Sequence, residues 1–180
     1  MKKINRPVFI AVYCLVGWAV AGMPQPVLAQ ALSPLPCEED ARFQAFDFWV
    51  GRWDVFNGQQ QLVGTNTIEK REQGCMLLEQ WTGKGGGTGT SMNFYDIAKA
   101  KWVQYWMAAN GNAIWLEGGL KEGAMHLVGE WVTLNGTVTP LRGTWTPLPD
   151  GRVRQFFEQS TDGGATWTTW FDGYYVRKEE

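Results

Sequence analysis

Short runs of aromatic and β-branched residues alternate with polar turn residues from residue 48 onward. Each run has the length of a strand, and Asn-Gly or Asp-Gly pairs, which supply the positive φ of tight hairpins, separate many of them. The pattern predicts about ten antiparallel strands joined by hairpins. The predicted strands are residues 49–56, 62–69, 75–82, 91–95, 101–108, 113–117, 124–133, 137–146, 152–160 and 166–177.

Such a meander has two unpaired edges unless its first strand pairs with its last, and closure into a barrel removes both edges. We therefore predict an all-β fold, an antiparallel up-and-down barrel of about ten strands around one core. Residues 38–46 are the only stretch with helical character, because they begin with acidic residues and can place Phe43 and Phe46 on one face. One short N-terminal helix is expected.

The first 29 residues have the composition of a signal peptide. Lys2, Lys3 and Arg6 form a basic head, residues 8–23 are apolar, and Val27-Leu28-Ala29 has the small residue that signal peptidase prefers. A membrane anchor is the alternative, but an apolar run of about 16 residues is shorter than the span of about 20 that a bilayer requires.

We therefore divide the chain into a signal peptide (residues 1–29), a linker (residues 30–36) and a single barrel domain (residues 37–180). This division predicts a protein exported to the periplasm or the medium, with no membrane span after cleavage.

Charge and composition narrow the possible partners. From Gln30 onward the chain carries 13 Lys and Arg against 18 Asp and Glu, a formal net charge of −5. Nucleic acids and anionic membranes attract basic surfaces, so neither is an expected partner. The sequence does not define an oligomeric state.

The cysteines predict a disulfide. Cys14 lies in the signal peptide, so export leaves Cys37 and Cys75 in a compartment that oxidises thiols. We expect these two residues to be bonded. With one His in the chain and no C-x-x-C spacing, neither a metal site nor another cofactor is predicted.

The most specific local motif is F-D-F-W-V-G-R-W-D-V at residues 46–55. A short helix that leads into a first strand through G-x-W resembles the calycins, the group of lipocalins and fatty-acid-binding proteins. The resemblance implies that Gly51 and Trp53 are structural, that Trp53 plugs one end of the barrel, and that an Arg from a late strand, here Arg177, covers it.

Several ordered blocks between residues 37 and 178 also resemble a bacterial family of exported domains of unknown function. Besides the F-D-F-W-V-G-R-W opening they are G-C-M-L-L-E-Q-W at 74–81, S-M-N-F-Y-D at 91–96, K-W-V-Q-Y-W at 101–106 and R-V-R-Q-F-F-E-Q-S-T-D-G-G-A-T-W at 152–167. This resemblance implies no particular activity.

Two further features suggest chemistry but also have structural explanations. Residues 160–167 match the Asp-box hairpin of sialidases, yet a single copy is explained by a turn in which Asp162 accepts backbone N–H bonds and Trp167 packs beneath. His126 could ligate haem, as a single His does in nitrobindin-like barrels, but lone histidines are common on strand surfaces.

Polar residues inside apolar strands are the remaining candidates for a binding site. If the faces that carry them point inward, they form a polar cluster within a wall of Trp, in which Glu and Arg neutralise one another or a ligand. If those faces point outward, the same residues form cross-strand ion pairs on the surface, and alternation alone does not decide between the two. The candidate ligand-binding residues are Glu79, Trp81, Gln104, Trp106, Trp115, Arg142, Arg154 and Glu158.

Three functions fit this barrel. The favoured one is non-catalytic binding of an apolar or amphipathic small molecule. The second is an envelope structural or interaction module whose own aromatics fill the interior. The third is an isomerase, cyclase or hydrolase that uses Glu79 or Glu158 beside Arg142 or Arg154.

Overall fold

The computed structural model describes residues 36–178. The predicted signal peptide and nearly all of the predicted linker lie outside the described residues.

The chain forms a closed antiparallel barrel of ten strands in which each strand pairs with its sequence neighbours and β10 pairs with β1. The predicted fold class, an up-and-down barrel with a calycin-like arrangement, is confirmed. The strands are β1 (Gly51–Phe56), β2 (Leu62–Arg71), β3 (Met76–Gly83), β4 (Thr88–Asp96), β5 (Lys101–Ala108), β6 (Ala113–Lys121), β7 (Ala124–Val132), β8 (Val138–Pro147), β9 (Val153–Gln159) and β10 (Thr168–Arg177).

Because consecutive strands are antiparallel, the hairpin loops alternate between the two ends of the barrel. The loops at residues 57–61, 84–87, 109–112, 133–137 and 160–167 lie at one end, which we call the loop end. After their Asn residues, Gly111 and Gly136 adopt φ values of +83° and +85°, as the predicted Asn-Gly turns require. The N-terminal segment covers the opposite end, which we call the plugged end.

The N-terminal segment contains three short helices instead of the single helix predicted at 38–46. Two α-helices, α1 (Pro36–Glu39) and α2 (Ala41–Gln44), are followed by a 3₁₀-helix at Asp47–Trp49. The two α-helices are separated at Asp40, which has an extended backbone. The side chain of Asp40 caps α2 by accepting the backbone N–H of Arg42 at 2.9 Å. Phe43 and Phe46 are both buried.

An aromatic cluster seals the plugged end. The ring of Phe46 stacks on Trp49 with centroids 5.0 Å apart and meets Trp102 and Trp145 edge to face. Each of these four side chains is almost completely buried. Burial of such large rings makes this cluster the main apolar contribution to the core at this end.

The G-x-W motif has the roles that the calycin resemblance implied. Trp53 is buried and donates its indole N–H to the carbonyl of Trp49 at 2.9 Å. The guanidinium of Arg177 lies 4.3 Å from the Trp53 ring and donates to the carbonyl of Val50. Gly51 has φ +147°, and a β-carbon there would lie 2.3 Å from Nη1 of Arg177. Glycine is therefore required for Arg177 to close over Trp53.

A disulfide ties the N-terminal segment to the barrel. The sulfur atoms of Cys37, in α1, and Cys75, just before β3, are 1.94 Å apart. The predicted bond is confirmed.

The Asp-box sequence forms a hairpin turn at the loop end. Asp162 accepts the backbone N–H of Thr166 at 2.8 Å and its hydroxyl at 2.6 Å, and these hydrogen bonds, with that from Ser160, lower the pKa of Asp162 to about 2. The ring of Trp167 packs against the guanidinium of Arg142 at 4.3 Å. Both residues are accounted for by the turn and its packing.

Among residues 36–178 no helix is long and apolar enough to cross a bilayer.

Replacing both bonded cysteines, as Cys37→Ser with Cys75→Ser, should destabilise the plugged end. The bond spans 38 residues, and loop-closure entropy alone predicts a loss of about 3–4 kcal/mol in the free energy of unfolding. Urea unfolding of the oxidised protein and the double variant measures the difference. A difference below about 0.5 kcal/mol would contradict the prediction.

Candidate functional site

A band of polar side chains crosses the barrel interior at mid-depth, which is unusual for a space enclosed by a sheet. Its members are all buried and point inward from β2, β3, β4, β5, β9 and β10, whereas β6, β7 and β8 present apolar side chains such as Leu116, Leu127 and Leu141. We call this band the polar belt; its residues are Asn66, Glu79, Ser91, Asn93, Gln104, Gln155 and Tyr175.

One branch of the polar belt is a chain of hydrogen bonds directed toward Glu79. Asn93 donates from Nδ2 to the backbone carbonyl of Leu77 at 3.3 Å and to Oγ of Ser91 at 2.7 Å. Since a backbone carbonyl can only accept, the orientation of this amide is fixed. Ser91 then donates to Oε2 of Glu79 at 2.6 Å, and Gln104 donates to Oδ1 of Asn93 at 2.9 Å. Every donor on this branch points toward the carboxyl group.

The second branch reaches Glu79 from the opposite side. Asn66 donates from Nδ2 to Oε1 of Glu79 at 2.7 Å and to the hydroxyl of Tyr175 at 3.2 Å. Tyr175 in turn donates to Oε1 of Gln155. Oδ1 of Asn66 is buried and has no partner among the described residues.

Glu79 is buried, with 4% of its surface exposed, and has no cationic partner among the residues the structure describes. Loss of solvent raises the pKa of Glu79 above its ordinary value, and the hydrogen bonds from Ser91 and Asn66 oppose this rise. Burial also raises the pKa of Tyr175, and the nearby Glu79 adds to the effect. The polar belt therefore supports a negative charge with hydrogen bonds but does not neutralise it.

A cavity of about 180 Å³ lies between the polar belt and the loop end. Its polar floor consists of Glu79, Gln104, Gln155 and Tyr175. Its walls are apolar and mostly aromatic: Trp81, Trp106, Ile114, Phe157, Trp170 and Phe171. A concave apolar site with a few convergent polar groups has the usual form of a small-molecule site.

Glycines in neighbouring strands make room for the aromatic walls. A β-carbon at Gly64 would lie 2.4 Å from the Trp81 ring, and one at Gly89 would lie 2.2 Å from the Trp106 ring. A β-carbon at Gly143 would likewise lie 2.2 Å from the Phe157 ring. Each ring therefore lies against bare backbone, a packing that any larger residue at the glycine would prevent.

A β-bulge brings two consecutive residues to the cavity. The pairing of β10 with β9 shifts between Thr169 and Phe171, so Trp170 has no partner across the ladder. As a result Trp170 and Phe171 both line the cavity, which regular alternation would forbid.

Two of the aromatic wall residues also belong to a groove at the loop end. This groove is bordered by Gly83, Gly87 and Thr88 and is lined as well by Trp81 and Trp106. These two indoles therefore contact both the groove and the cavity. The glycine-rich run at residues 83–89 forms a hairpin turn beside the groove, in which the N–H of Gly83 donates to the carbonyl of Gly87 at 2.8 Å.

Four of the predicted candidates, Glu79, Trp81, Gln104 and Trp106, line the cavity together. Of the two orientations left open by the sequence, the inward one is therefore found for these four residues. Their participation in binding stays a prediction.

The inward orientation considered for the other four candidates is wrong. Arg142 and Glu158 form an ion pair of 2.8 Å on the outer surface, and Arg154 pairs there with Asp172 at 2.8 Å. Trp115 also faces outward, with Nζ of Lys99 5.6 Å from its ring. Val153, Gln155 and Phe157 of β9 face the interior instead. The charged residues on the opposite face of that strand, Arg154 and Glu158, cost less free energy in water.

Because Arg142, Arg154 and Glu158 lie on the outer surface, the cavity does not contain the predicted catalytic pair of a Glu beside an Arg. His126 lies on the outer surface, where its Nδ1 is 3.1 Å from the hydroxyl of Thr144. Among residues 36–178 no group of three His, Cys, Asp or Glu is arranged to hold a metal ion.

Six residues that line the cavity were not among the candidates predicted from the sequence. Two signals were available: the charged residues Arg154 and Glu158 on one face of β9, and the alternation of Phe171, Gly173 and Tyr175 before Arg177. The bulge at Trp170 leaves no comparable signal. The missed residues are Ile114, Gln155, Phe157, Trp170, Phe171 and Tyr175.

No protein-family model matches the chain, and no curated protein is similar to it at a significant level.

The substitution Glu79→Gln should change how stability depends on pH. Between the ordinary and the raised pKa the folded protein holds a proton that the unfolded chain has released, so the free energy of unfolding of the wild type falls as pH rises through that interval. The variant has no carboxyl group at this position, so its free energy of unfolding does not fall in this way. The amide of Asn66 can also turn its unpaired Oδ1 toward the new NH₂ group of the glutamine. Relative to the wild type, we therefore expect the variant to become more stable as the pH rises from 4.5, the ordinary pKa of this carboxyl group, toward neutral.

Urea unfolding across this pH range measures the effect, with Glu158→Gln on the outer surface as the control. A difference between wild type and Glu79→Gln that does not change with pH would contradict the prediction.

A methyl group at Gly89 should displace Trp106, whereas one at Gly119 should not. Both glycines lie in strands without positive φ, but a β-carbon at Gly119 meets no atom within 4 Å. We expect Gly89→Ala to lower the free energy of unfolding by about 1–3 kcal/mol and to shift the Trp emission, and Gly119→Ala to be neutral or slightly stabilising. Equal stability of the two variants would show that the Trp106 ring moves aside without an energetic cost, and would contradict the prediction.

Proposed function

We propose that this protein is exported and that its barrel binds a small, largely apolar molecule with one polar group, without altering it. The observation that carries the proposal is the cavity of about 180 Å³, with aromatic walls above a polar floor.

The size of the cavity limits the ligand. An apolar protein cavity of roughly 150 Å³ is large enough for benzene, so a space of about 180 Å³ suits one ring with a short substituent. The aromatic walls offer stacking and edge contacts to such a ring, and the floor offers hydrogen bonds to its substituent.

Two features of the rest of the chain support export. Residues 1–29 have the composition of a signal peptide, and resemblance to an exported bacterial family adds to this expectation. The bond between Cys37 and Cys75 suits an oxidising compartment such as the periplasm.

The cavity also weighs against the other two functions predicted from the sequence. A module filled by its own aromatics would leave no such space. An acid–base enzyme would be expected to have a cationic or readily ionised group beside Glu79. The other titratable residue that lines the cavity is Tyr175, whose pKa burial raises well above its ordinary value.

The test is a binding screen by Trp fluorescence with single-ring molecules such as toluene, phenol and benzyl alcohol, because two wall indoles would report a nearby ligand. We expect Ile114→Phe, which fills the cavity, to weaken binding at least tenfold. Ile97→Phe is the matched control, since Ile97 is 64% exposed and should leave binding unchanged. Absence of any response from the folded wild type, or equal loss in both variants, would contradict the proposal.

A further inference from the structure

We infer that the ligand is an organic cation: a primary ammonium on a single aromatic ring, with its nitrogen on Glu79 and its ring among the Trp and Phe walls. This inference rests on the proposed function and specifies the chemistry of the same cavity.

The first argument is charge. A buried carboxylate is stable only when it is paired or strongly hydrogen-bonded, and Glu79 has two neutral donors and no cation. The cationic side chains that the structure places in ion pairs lie outside the barrel; Arg142 and Arg154 are examples. The missing positive charge can therefore come from the ligand.

The second argument is the acceptor capacity of Glu79 on the cavity floor. Each oxygen of Glu79 accepts one hydrogen bond and can accept another. An ammonium group has three donors and can therefore donate to both oxygens, whereas a hydroxyl has a single donor.

The third argument is the direction of the hydrogen-bond chain. From Gln104 through Asn93 and Ser91 every donor points toward Glu79, and the carbonyl of Leu77 fixes that direction. Such a chain is polarised to stabilise the ionised carboxylate. Of the described groups that face Glu79 across the barrel interior, only Tyr175 on β10 is titratable, and its hydroxyl remains neutral at ordinary pH.

The walls are suited to the same ligand. Indole rings attract cations through their faces, and Trp81, Trp106 and Trp170 all line the cavity. A carboxylate or phosphate group would instead meet the charge of Glu79 with no cation to offset it.

The test compares benzylamine with benzyl alcohol and benzoate, which have nearly the same size. Titrations of the purified wild type at neutral pH should show benzylamine binding at least tenfold more tightly than benzyl alcohol, and no binding of benzoate. In Glu79→Gln the affinities for benzylamine and benzyl alcohol should come within about threefold of each other. The outer-surface control Glu158→Gln should behave as the wild type does.

A second measurement does not depend on the variant. Protonation of Glu79 removes the charge that an ammonium would pair with, so the affinity for benzylamine should fall as the pH is lowered through the pKa of Glu79, whereas the affinity for benzyl alcohol should change little. If benzyl alcohol binds and benzylamine binds equally or more weakly, or if the two affinities change alike with pH, the inference is overturned while the proposed function stands. If none of the three probes binds, both are overturned.

Discussion

The carboxyl group of Glu79, buried without a counter-ion, is the constraint around which the barrel interior is arranged. Its burial would be too costly in an apolar core, and six polar side chains from five other strands form the network that makes it tolerable. An apolar side chain at this position would need none of them. The polar belt is therefore best explained as support for one acidic group.

The two ends of the barrel serve different purposes because of where the polar belt lies. On one side of the belt, Phe46, Trp49 and Trp102 pack tightly, and the disulfide and Arg177 hold the N-terminal segment over them. On the other side the aromatic rings line a space instead of filling it. Among the described residues, aromatic rings therefore fill the end beneath the polar belt, and the cavity lies between the belt and the loop end.

The fold was predictable from the sequence because its signals are local. Turn residues marked the hairpins, and the strand predicted at 101–108 has the bounds observed for β5. Alternation did not decide which face of a strand points inward, because β5 is apolar on both faces and both faces of β9 carry Phe. The bulge at Trp170 depends on how two distant strands pair, and no single stretch of sequence contains that information.

The packing of wall rings on glycines separates the residues that shape the cavity from the residues that line it. Gly64, Gly89 and Gly143 determine how far the rings of Trp81, Trp106 and Phe157 can withdraw toward the barrel wall. A related chain with identical lining residues but alanine at one of these glycines would have a narrower site and a different preference for ligands. Ligand preference in such barrels would then depend on pairs of residues on adjacent strands. One residue of each pair, the glycine, would not contact the bound molecule.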